Sequence, residues 1–406
     1  MFMKKILYLS YDGMTDPLGQ SQVLPYLKKL SSDFEIHIIS CEKSELYTKY
    51  KIDIEKITYD SNISWHPLIY NKFPPILSTV YDLLKILFLA FRLNKKYIFD
   101  IVHCRSHLTA LLGMLLKRSA GIPFIFDMRS FFPDERVDGN LWPQSKIIYR
   151  LVYKFFKKKE TDMLRYADQN VVLTNAAKDI LLSNYGISNI AVIPCCADFD
   201  HFNFSKISDE EIQEARADLN IKSNQFVLTY LGSIGTWYKL PEMLMFFKEL
   251  KKVKQNAVFI FFTSSSDELI YKEAKTLNID PSDIRIQFVI RENLPKYLML
   301  SSASIFFIQN TFSKLASSPT KHAELMGLGI PVIANKGIGD TDQIILETSS
   351  GTLIDLNNTS PFKDCILSID EIIKIDRNLI RNSGKEIFEL KRGVDIYKAI
   401  YLKMTS

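Results

Sequence analysis

The sequence lacks the features that mark secreted, zinc-binding and membrane-spanning proteins. Its five cysteines are odd in number, and no two of them have the spacing of metal ligands. Reduced thiols, as in a cytoplasmic protein, are therefore favoured over disulfides or a metal site. The N-terminus reaches Asp12 too soon to contain the apolar core of a signal peptide. The longest apolar run, residues 76–93, contains Asp82, Lys85 and Arg92, which argues against a membrane-spanning helix.

A strong charge of one sign, internal repeats and low-complexity segments are also absent from the sequence. The net charge is only +5, whereas nucleic-acid-binding proteins carry clustered basic surfaces, so no nucleic-acid partner is expected. The hydrophobic content of 47% is that of an ordinary globular protein. Because 406 residues exceed the usual limit for a single hydrophobic core, two domains are expected.

Apolar, strand-like runs alternate with helical patterns through both halves of the chain. In the first half, strands are predicted at residues 6–10, 34–39, 101–104, 122–126, 171–173 and 191–193, with helices at 21–30, 107–118 and 145–166. In the second half, strands are predicted at residues 226–231, 258–263, 285–289, 303–308, 331–334 and 352–354. Such alternation produces parallel, doubly wound sheets. The sequence therefore predicts an α/β protein with two Rossmann-like halves.

Residues 317–335 are the most informative stretch of the chain. A predicted N-cap at Ser318 and a proline, Pro319, at the first helical position open a short helix. Gly327 ends this helix before an apolar strand. A helix N-terminus beside a buried strand is an anion site, and the carboxylate of Glu324, about two turns in, suits a ribose diol. Phosphate together with ribose indicates a nucleotide ligand.

This stretch resembles the donor-binding segment of family 4 of the retaining nucleotide-sugar glycosyltransferases, which have the two-domain GT-B fold. The family pattern is Glu, seven residues, Glu, and then Ala-x-x-x-Gly-x-Pro-Val-Ile. Glu324 matches the second glutamate, Gly329 and Pro331 match the tail, and Ala316 stands in place of the first glutamate. The resemblance implies two Rossmann-like domains that face a cleft, with a C-terminal helix that crosses back to the first domain.

The boundary between the domains is expected near residues 193–202, where a proline and two aspartates follow a strand. This stretch also resembles the family's interdomain signature, Ile-Pro-Asn-Gly-Val-Asp followed by Phe. The resemblance implies an acceptor domain at residues 1–195, a nucleotide-sugar donor domain at residues 196–386 and the returning helix at residues 387–406.

A loop follows the first strand of each predicted domain, at the edge where open α/β sheets bind ligands. Gly19 and Gln20 resemble the family's glycine pair and are predicted to contact the donor, with an ordinary helix-entry turn as the alternative. In the second loop, Gly232 and Lys239 match the family's glycine and its diphosphate-binding lysine, whereas Ser233 replaces its arginine. A cation there lowers the barrier because the departing diphosphate gains negative charge.

Another cation can supply the charge of the missing arginine, and Lys321, Arg291 and Arg129 are the candidates. Lys321 is the third residue of the predicted helix, where a cation is unfavourable unless an anion binds. A side chain that extends into water is the equal alternative for Lys321. Ser318 and Thr320, at the same helix mouth, complete the predicted phosphate site.

Charged side chains follow a predicted strand of the first domain and add to the candidate catalytic residues. Either Asp127 or Arg129 occupies the place near the donor sugar where the family commonly has a histidine, and His103 lies at the end of the preceding strand. These three residues join Lys239 as the predicted catalytic set. Surface ion pairs for the loop and a purely structural role for the histidine are the alternatives.

Three further predictions concern the acceptor, a second glycine loop and metal ions. Asp12 and Arg105 are predicted to bind the acceptor. Gly339 lies in a stretch that resembles the family's glycine loop after the donor strand, and it is predicted to contact the donor. The two Asp-x-Asp pairs, at residues 198–200 and 340–342, each lack a third ligand, so no metal ion is expected.

Residues 149–159 form a basic and aromatic helical segment that ends in Lys157, Lys158 and Lys159. Such a face suits an anionic membrane surface. The alternative is a helix that buries its aromatic side chains and solvates its lysines. The interrupted apolar helix at residues 76–93 is a second candidate for a helix lying on a membrane. We expect a cytoplasmic protein that binds peripherally to the inner face of the cell membrane.

These features predict a metal-independent, retaining glycosyltransferase that moves a sugar from a UDP or GDP sugar to a polyprenyl-diphosphate-linked or other glycan. No separate cofactor is expected, because the nucleotide sugar is a co-substrate. Assembly of a bacterial surface polysaccharide such as a capsule is the implied setting. The alternatives are a non-hydrolysing nucleotide-sugar 2-epimerase, which shares the GT-B fold, and a catalytically inactive nucleotide-binding subunit, which Ala316 and Ser233 make conceivable.

Overall fold

The computed structural model describes residues 3–406 and divides into two compact units. The first unit runs to Pro194 and also contains Leu390–Ser406, and the second unit spans Cys195–Glu389. Up to Pro194 the elements are β1 (Lys4–Ser10), α1 (Pro17–Gln22), α2 (Leu24–Leu30), β2 (Phe34–Glu42), α3 (Ser44–Asp60), β3 (Ile63–Ile69), α4 (Leu77–Tyr97), β4 (Ile101–Arg105), α5 (Ser106–Ala120), β5 (Phe124–Met128), α6 (Phe132–Asp138), α7 (Ile147–Tyr166), β6 (Gln169–Val172), α8 (Asn175–Tyr185) and β7 (Ile190–Val192).

The first unit is built on a seven-stranded parallel sheet in the order β3-β2-β1-β4-β5-β6-β7. All six strands predicted for this half are present. The sequence pattern misses the edge strand β3 because Ser64, His66 and Pro67 interrupt its apolar residues. The single helix predicted at residues 21–30 is wrong. Pro25 lies in the first turn of α2, and a residue without an N–H cannot continue α1.

The register of this sheet brings the polar ends of several strands side by side. Ser10 on β1 lies between Ser40 on β2 and Arg105 on β4. Arg105 in turn is in register with Asp127 on β5. Because the strands are parallel, these residues share the carboxyl edge of the sheet, where ligands bind in open α/β folds.

The second unit contains a six-stranded parallel sheet in the order β10-β9-β8-β11-β12-β13. All six strands predicted for this half are present, and apolar side chains from both faces of the sheet form one buried core. Besides three short 3₁₀ turns, the elements are α9 (Asp209–Asp218), β8 (Val227–Leu231), α10 (Leu240–Val253), β9 (Val258–Phe262), α11 (Asp267–Thr276), β10 (Ile284–Gln287), α12 (Leu294–Leu298), β11 (Ala303–Phe306), α13 (Thr320–Gly327), β12 (Val332–Asn335), α14 (Thr341–Thr348), β13 (Gly351–Ile354), α15 (Lys363–Leu367), α16 (Ile369–Ile372) and α17 (Arg377–Phe388).

The chain ends in α18 (Leu390–Thr405), which belongs to the first unit, as the GT-B resemblance implies. Tyr401 on α18 stacks edge-on against Phe34, with ring centroids 5.1 Å apart. Lys398 Nζ lies 2.7 Å from the Asp33 carboxylate and adds an ion pair near the surface. The last helix is therefore an integral part of the first unit.

The helix that contains the longest apolar run is α4. It buries Asp82, whose carboxylate accepts the Asn71 N–H (2.9 Å) and lies 2.8 Å from Lys85 Nζ. No helix within residues 3–406 has both the length and the apolar character needed to cross a bilayer.

Candidate active site

The loop after β8 turns sharply at Gly232. Its φ of +114° is readily reached only by glycine, and its N–H donates to the Phe262 carbonyl (2.9 Å). The Tyr230 hydroxyl donates to the Ser233 carbonyl (2.6 Å) and fixes the next residue. A Cβ atom at Gly232 would lie 3.1 Å from Lys321 Nζ. The turn and the Lys321 amino group are therefore immediate neighbours.

Lys321 carries a buried amino group that has aromatic contacts but no hydrogen bond. The residue is 6% exposed, and its Nζ lies 4.1 Å and 3.9 Å from the ring centroids of Tyr230 and Tyr238. No acceptor in residues 3–406 makes a hydrogen bond to Nζ. Burial holds the pKa of Lys321 well below its usual value, against the opposing charge of Glu324. A buried cation without an acceptor is costly, so this position suits an anionic ligand.

The structure brings the predicted donor residues Arg291 and Glu324 together. Arg291 Nη1 donates to Glu324 Oε1 (2.7 Å), and the guanidinium lies 5.1 Å from the ring centroid of Phe202. His201 Nε2 and the Arg291 carbonyl oxygen are 2.9 Å apart. Glu324 is buried on α13, so this contact orients its carboxylate. The charge of Arg291 is already paired with Glu324.

The start of α13 differs from the prediction. The helix begins at Thr320, and Pro319 is an N-cap without a side-chain hydrogen bond. The predicted N-cap role of Ser318 is wrong, because the ψ of Pro319, 116°, is still extended and Ser318 Oγ accepts the Cys195 N–H (3.1 Å). Lys321 is consequently the second helical residue, and Glu324 lies one turn in rather than two.

Lys239, the predicted diphosphate lysine, forms an ion pair with a residue that the sequence reasoning missed. It stands at the N-cap of α10, and its Nζ donates to the Glu242 carboxylate three residues further on. The Lys-x-x-Glu spacing on a helix is the signal that could have identified this pair. The charge of Lys239 is thus compensated in the unliganded protein, whereas that of Lys321 is not.

The predicted glycine loop after β12 is held by backbone contacts. Gly337 has a φ of +89°, and its N–H donates to both oxygens of the Asp342 carboxylate (3.0 Å each). The Gly339 N–H donates to the Lys314 carbonyl (3.0 Å). In the other Asp-x-Asp pair, Asp198 Oδ1 accepts a backbone N–H two residues on. One carboxylate of each pair therefore stabilises a loop.

The position of the family's first glutamate holds the buried methyl group of Ala316, at the end of a 3₁₀ turn. The side chain is apolar, so it offers no carboxylate to a ligand. Glu324, further along the same segment, is the nearest match to the family's acidic pattern.

In the first unit, Glu42 organises the loop after β1, although the sequence reasoning did not select it. Its buried carboxylate accepts the Met14 N–H (2.8 Å), the Thr15 N–H (3.0 Å), the Thr15 hydroxyl (2.6 Å) and the Ser40 hydroxyl (2.5 Å). Four donors on one buried carboxylate fix the loop strongly. A lone acidic residue at the end of an apolar strand is the sequence signal for this role.

Gly19 and Gln20 lie on α1 and contact the loop itself. A Cβ atom at Gly19 would clash with the Gly13 carbonyl. Gln20 Nε2 donates to the Thr15 carbonyl (3.0 Å). Both residues shape the loop, and their predicted contact with the donor stays a prediction.

Asp127 and His103 belong to a buried network that reaches α18. His103 Nδ1 and the Tyr401 hydroxyl are 2.7 Å apart, and His103 Nε2 lies 3.4 Å from Asp127 Oδ2. The Tyr397 hydroxyl donates to the same Asp127 oxygen (3.2 Å), and Arg129 Nη1 lies 3.5 Å from Oδ1. Burial alone raises the pKa of Asp127, but Arg129 and His103 outweigh it and hold the pKa well below its usual range. Burial also lowers the pKa of His103. Both residues connect the sheet to the last helix, and their catalytic roles stay predictions.

The predicted acceptor residues Arg105 and Asp12 lie close together at the carboxyl edge. Arg105 Nε is 3.7 Å from Asp12 Oδ2, and Arg105 is only 4% exposed. Within residues 3–406, Nε and Nη1 of Arg105 have no hydrogen-bond acceptor. Arg105 thus has donor capacity left for a ligand.

The basic segment of α7 divides into an inner and an outer face. Lys157 Nζ lies 2.9 Å from Asp134 Oδ2 and 2.7 Å from Glu160 Oε1, and Glu160 is fully buried against His107 (2.9 Å). Lys158 is exposed. Lys157 therefore compensates a buried carboxylate and is not free to face a membrane surface.

Each unit is built on a parallel, doubly wound sheet, which is the architecture of the GT-B class of glycosyltransferases. Residues 26–201 match the family model described as Glycosyltransferase Family 4. Residues 211–386 match the model described as Glycosyl transferases group 1. The chain belongs to the family 4 glycosyltransferases.

The chain is similar to known proteins along nearly its whole length. It is 23% identical over 398 residues to the Escherichia coli UDP-Gal:alpha-D-GlcNAc-diphosphoundecaprenol alpha-1,3-galactosyltransferase, covering 95% of this chain and 92% of that one. Its fold is similar to that of sucrose-phosphate synthase from Thermosynechococcus elongatus (TM-score 0.76, 14% identity, 99% of both chains). It also resembles Anabaena Alr3699/HepE, whose structure contains UDP and glucose (TM-score 0.71, 12% identity, 98% of this chain and 100% of that one).

Proposed function

We propose that this glycosyltransferase moves a sugar from a UDP sugar to a lipid-linked glycan, with retention of the anomeric configuration and without a metal ion. The main support for binding of the nucleotide-sugar donor is the buried amino group of Lys321, which lies beside the Gly232 turn and makes no hydrogen bond within residues 3–406. The E. coli relative named for UDP-Gal and a diphosphoundecaprenol acceptor supports the choice of both substrates. Assembly of a bacterial surface polysaccharide is the setting that follows.

In the proposed reaction, an acceptor hydroxyl attacks the anomeric carbon on the face from which the diphosphate leaves. The bond between the sugar and the diphosphate oxygen breaks, and its electron pair stays on the diphosphate. The hydroxyl proton passes to the same departing oxygen, so charge and atoms balance. The sugar becomes oxocarbenium-like while the diphosphate becomes more negative. A preorganised cation next to the diphosphate therefore stabilises the transition state more than the ground state.

Lys321 supplies that cation. It takes over the role of the family's arginine, which is replaced by Ser233 in this sequence. Lys321 Nζ adjoins the Gly232 turn, whereas Arg291 is paired with Glu324 and Arg129 is 3.5 Å from Asp127 in the first unit. Lys239 contributes after partial release from Glu242. Two lysines can in this way replace the family's lysine and arginine.

Glu324 binds the ribose of the donor, and Arg291 positions it. The Arg291 contact engages Glu324 Oε1 and leaves Oε2 to accept hydrogen bonds from the ribose diol. Ser318, Thr320 and Gly339 frame the phosphate side of the same site. Lys321 and Glu324 are three residues apart on α13, so their side chains project from the same helical face.

Arg105 and Asp12 bind the acceptor at the carboxyl edge of the first unit. The open donor positions on Arg105 suit a charged group of the acceptor, such as a phosphate. Asp127, Arg129 and His103 hold this edge in place through the network with α18. A metal ion is not needed in this scheme, because lysines supply the positive charge at the diphosphate and one carboxylate of each Asp-x-Asp pair stabilises a loop.

The direct experiment is to incubate purified protein with UDP-galactose, UDP-glucose, UDP-N-acetylglucosamine or GDP-mannose, with and without a GlcNAc-diphosphate-prenol acceptor and with EDTA. Transfer that needs the acceptor, survives EDTA and keeps the anomeric configuration by NMR is expected. A changed sugar without acceptor would instead identify an epimerase. Nucleotide binding without any turnover would identify an inactive subunit.

We also propose that the first unit binds peripherally to an anionic membrane surface. Apolar side chains are exposed on α4 and α7, and α7 also carries exposed basic residues such as Lys154 and Lys158. Such helices lie in the interface of a bilayer and bind more weakly as salt rises. Flotation with anionic liposomes at low and high salt tests this, and no flotation at low salt would refute it.

A further inference from the structure

Two helices of the first unit present apolar stripes to solvent. About half or more of each side chain in these stripes is exposed. The α4 stripe consists of Leu77, Tyr81, Leu84 and Phe88, and the α7 stripe consists of Ile147, Ile148, Leu151 and Phe155. Spacings of mostly three or four residues put each set on one helical face, with Ile147 and Ile148 adjacent at the start of the α7 stripe. A helix that faces water normally carries polar residues there, so these faces are unusual for a surface in contact only with water.

A groove lies over α5 between these helices, and we call it the α5 groove. It has a volume of about 710 Å³, within the range of roughly 300–1,000 Å³ that small-molecule sites occupy. Its wall on one side is formed by Val80, Leu83, Leu84 and Leu87 of α4, and its floor includes Leu111 and Leu115 of α5. Leu84 belongs both to the wall and to the exposed stripe, so the groove and the apolar surface are continuous.

Three of the four charged residues that line the α5 groove are basic. Arg118 at the end of α5 and Arg165 near the end of α7 line it and are exposed. The acidic residue that also lines it, Asp162, lies 2.8 Å from Lys159 Nζ. Within residues 3–406, no carboxylate lies within 4.0 Å of either guanidinium. The nearby carboxylates of Asp168 and Asp162 are paired with Lys117 and Lys159. The groove therefore combines an apolar interior with uncompensated positive charge.

We propose that the α5 groove binds one acyl chain of an anionic phospholipid, with the lipid phosphate at Arg118 and Arg165. An apolar chain removes the leucine side chains from water, and arginine forms paired hydrogen bonds with a phosphate. The proposal deepens the proposed membrane association and does not depend on the transferase chemistry.

The position of the two arginines favours a bulk lipid over the prenyl tail of the acceptor. The last turns of α5 and α7 precede β5 and β6 directly, so they lie at the amino edge of the parallel sheet. Substrates of open α/β folds bind at the opposite, carboxyl edge.

The test uses the full chain and phosphatidylglycerol that carries a photoactivatable diazirine midway along one acyl chain, in vesicles of phosphatidylglycerol and phosphatidylcholine. Mass spectrometry of the irradiated complex should find labelled peptides from residues 80–87 and 111–118. Labels found only on the exposed stripes, with none on residues 111–118, would overturn the proposal. A diazirine-bearing polyprenyl phosphate that labels residues 111–118 while the phospholipid does not would overturn it as well.

Matched leucines provide the variant test. Leu115 in the groove and Leu182 on α8 are 47% and 49% exposed, so Leu115→Gln and Leu182→Gln should affect folding equally little. Labelling of residues 111–118 should fall several-fold in Leu115→Gln alone, and equal loss in both variants would count against the groove. Each basic residue near an anionic surface contributes a factor of about five in partitioning, so Arg118→Gln with Arg165→Gln should weaken vesicle binding about 30-fold. Transfer to a water-soluble acceptor should be unchanged in all these variants, which separates the groove from the transferase function.

Discussion

Replacing Lys321 by methionine should remove most of the transferase activity and yet stabilise the unliganded protein. Methionine can fill the space between Tyr230 and Tyr238 with a flexible apolar chain, but it cannot carry charge. In the wild-type protein the amino group is 6% exposed and has no hydrogen bond within residues 3–406. The protein thus bears the cost of a buried polar group that only a ligand can satisfy.

The size of the effect follows from the contacts around Lys321. Loss of one preorganised donor to a developing oxyanion costs about 10²–10³ in kcat. Ser233 offers only a hydroxyl, and Lys239 is already bonded to Glu242. For stability, removing an unsatisfied buried group gains about 1–3 kcal/mol, against a loss of up to about 2 kcal/mol of cation–π attraction. We expect a net gain near 1 kcal/mol and a rise in Tm of about 2–4 °C.

Steady-state kinetics, calorimetric binding of UDP and thermal unfolding measure these quantities. Lys296→Met is the control, since its Nζ also lies over a tyrosine ring (5.5 Å from Tyr297) and beside Glu214 (3.6 Å) on the same unit. The control should keep wild-type kcat and UDP affinity. Wild-type kcat and UDP affinity in Lys321→Met would refute the assignment of Lys321 to the diphosphate.

The same amino group should make both stability and donor binding depend on pH. The folded-state pKa of Lys321 lies below 10.5, its unfolded value, so the unfolded state binds more protons between the two values. Stability should therefore rise with pH across that window in the wild type, relative to Lys321→Met. A diphosphate binds the charged form, so UDP binding should take up a proton above the folded-state pKa and weaken as pH rises. Equal pH slopes of UDP affinity in both proteins would contradict this.

Three further predictions concern other residues. Glu324→Ala should weaken UDP binding by about 1.5–3 kcal/mol, because the ribose loses a charge-assisted hydrogen bond; unchanged affinity in calorimetry would exclude the ribose role. Glu42→Gln should lower the free energy of unfolding by about 2–4 kcal/mol in urea denaturation, since it disrupts four buried hydrogen bonds; a loss under 1 kcal/mol would show that the loop does not depend on the carboxylate. Lys157→Met should cost about 3–5 kcal/mol by leaving Glu160 buried with one partner fewer, whereas Lys158→Met should change stability by under about 0.5 kcal/mol; similar values for the two would contradict the inner and outer faces of α7.

The sequence was sufficient for most of the sheet strands because buried parallel strands are continuous apolar runs. β3 was not predicted because it is an edge strand that contains His66 and Pro67 and is only partly buried. The start of α13 was misplaced by one residue because a Ser-Pro pair is compatible with both a capped and an extended start. Local patterns determine the elements, but they do not determine such alternatives at their ends.

The contacts of the candidate site depend on residues far apart in the chain, and this is why the sequence could supply candidates but not their arrangement. Lys321 was one of three possible cations, and only its position against Tyr230 and Tyr238 separates it from Arg291 and Arg129. The partners of His103 on α18 are almost 300 residues away along the chain. No short-range pattern contains such information.

A lysine on a helix is not equivalent to the arginine that it replaces on a loop. Arginine stays charged at every accessible pH and forms paired hydrogen bonds, whereas a buried lysine can lose its proton and offers a point charge. The aromatic faces of Tyr230 and Tyr238 lower the cost of the charged form without supplying an acceptor. In the proposed reaction the diphosphate is the hydrogen-bonding partner of this amino group, and the energy of that contact grows as the leaving group gains charge. A cation held between two tyrosine rings in the proposed way binds the departing diphosphate more strongly than the intact donor. This difference in binding energy lowers the barrier to sugar transfer.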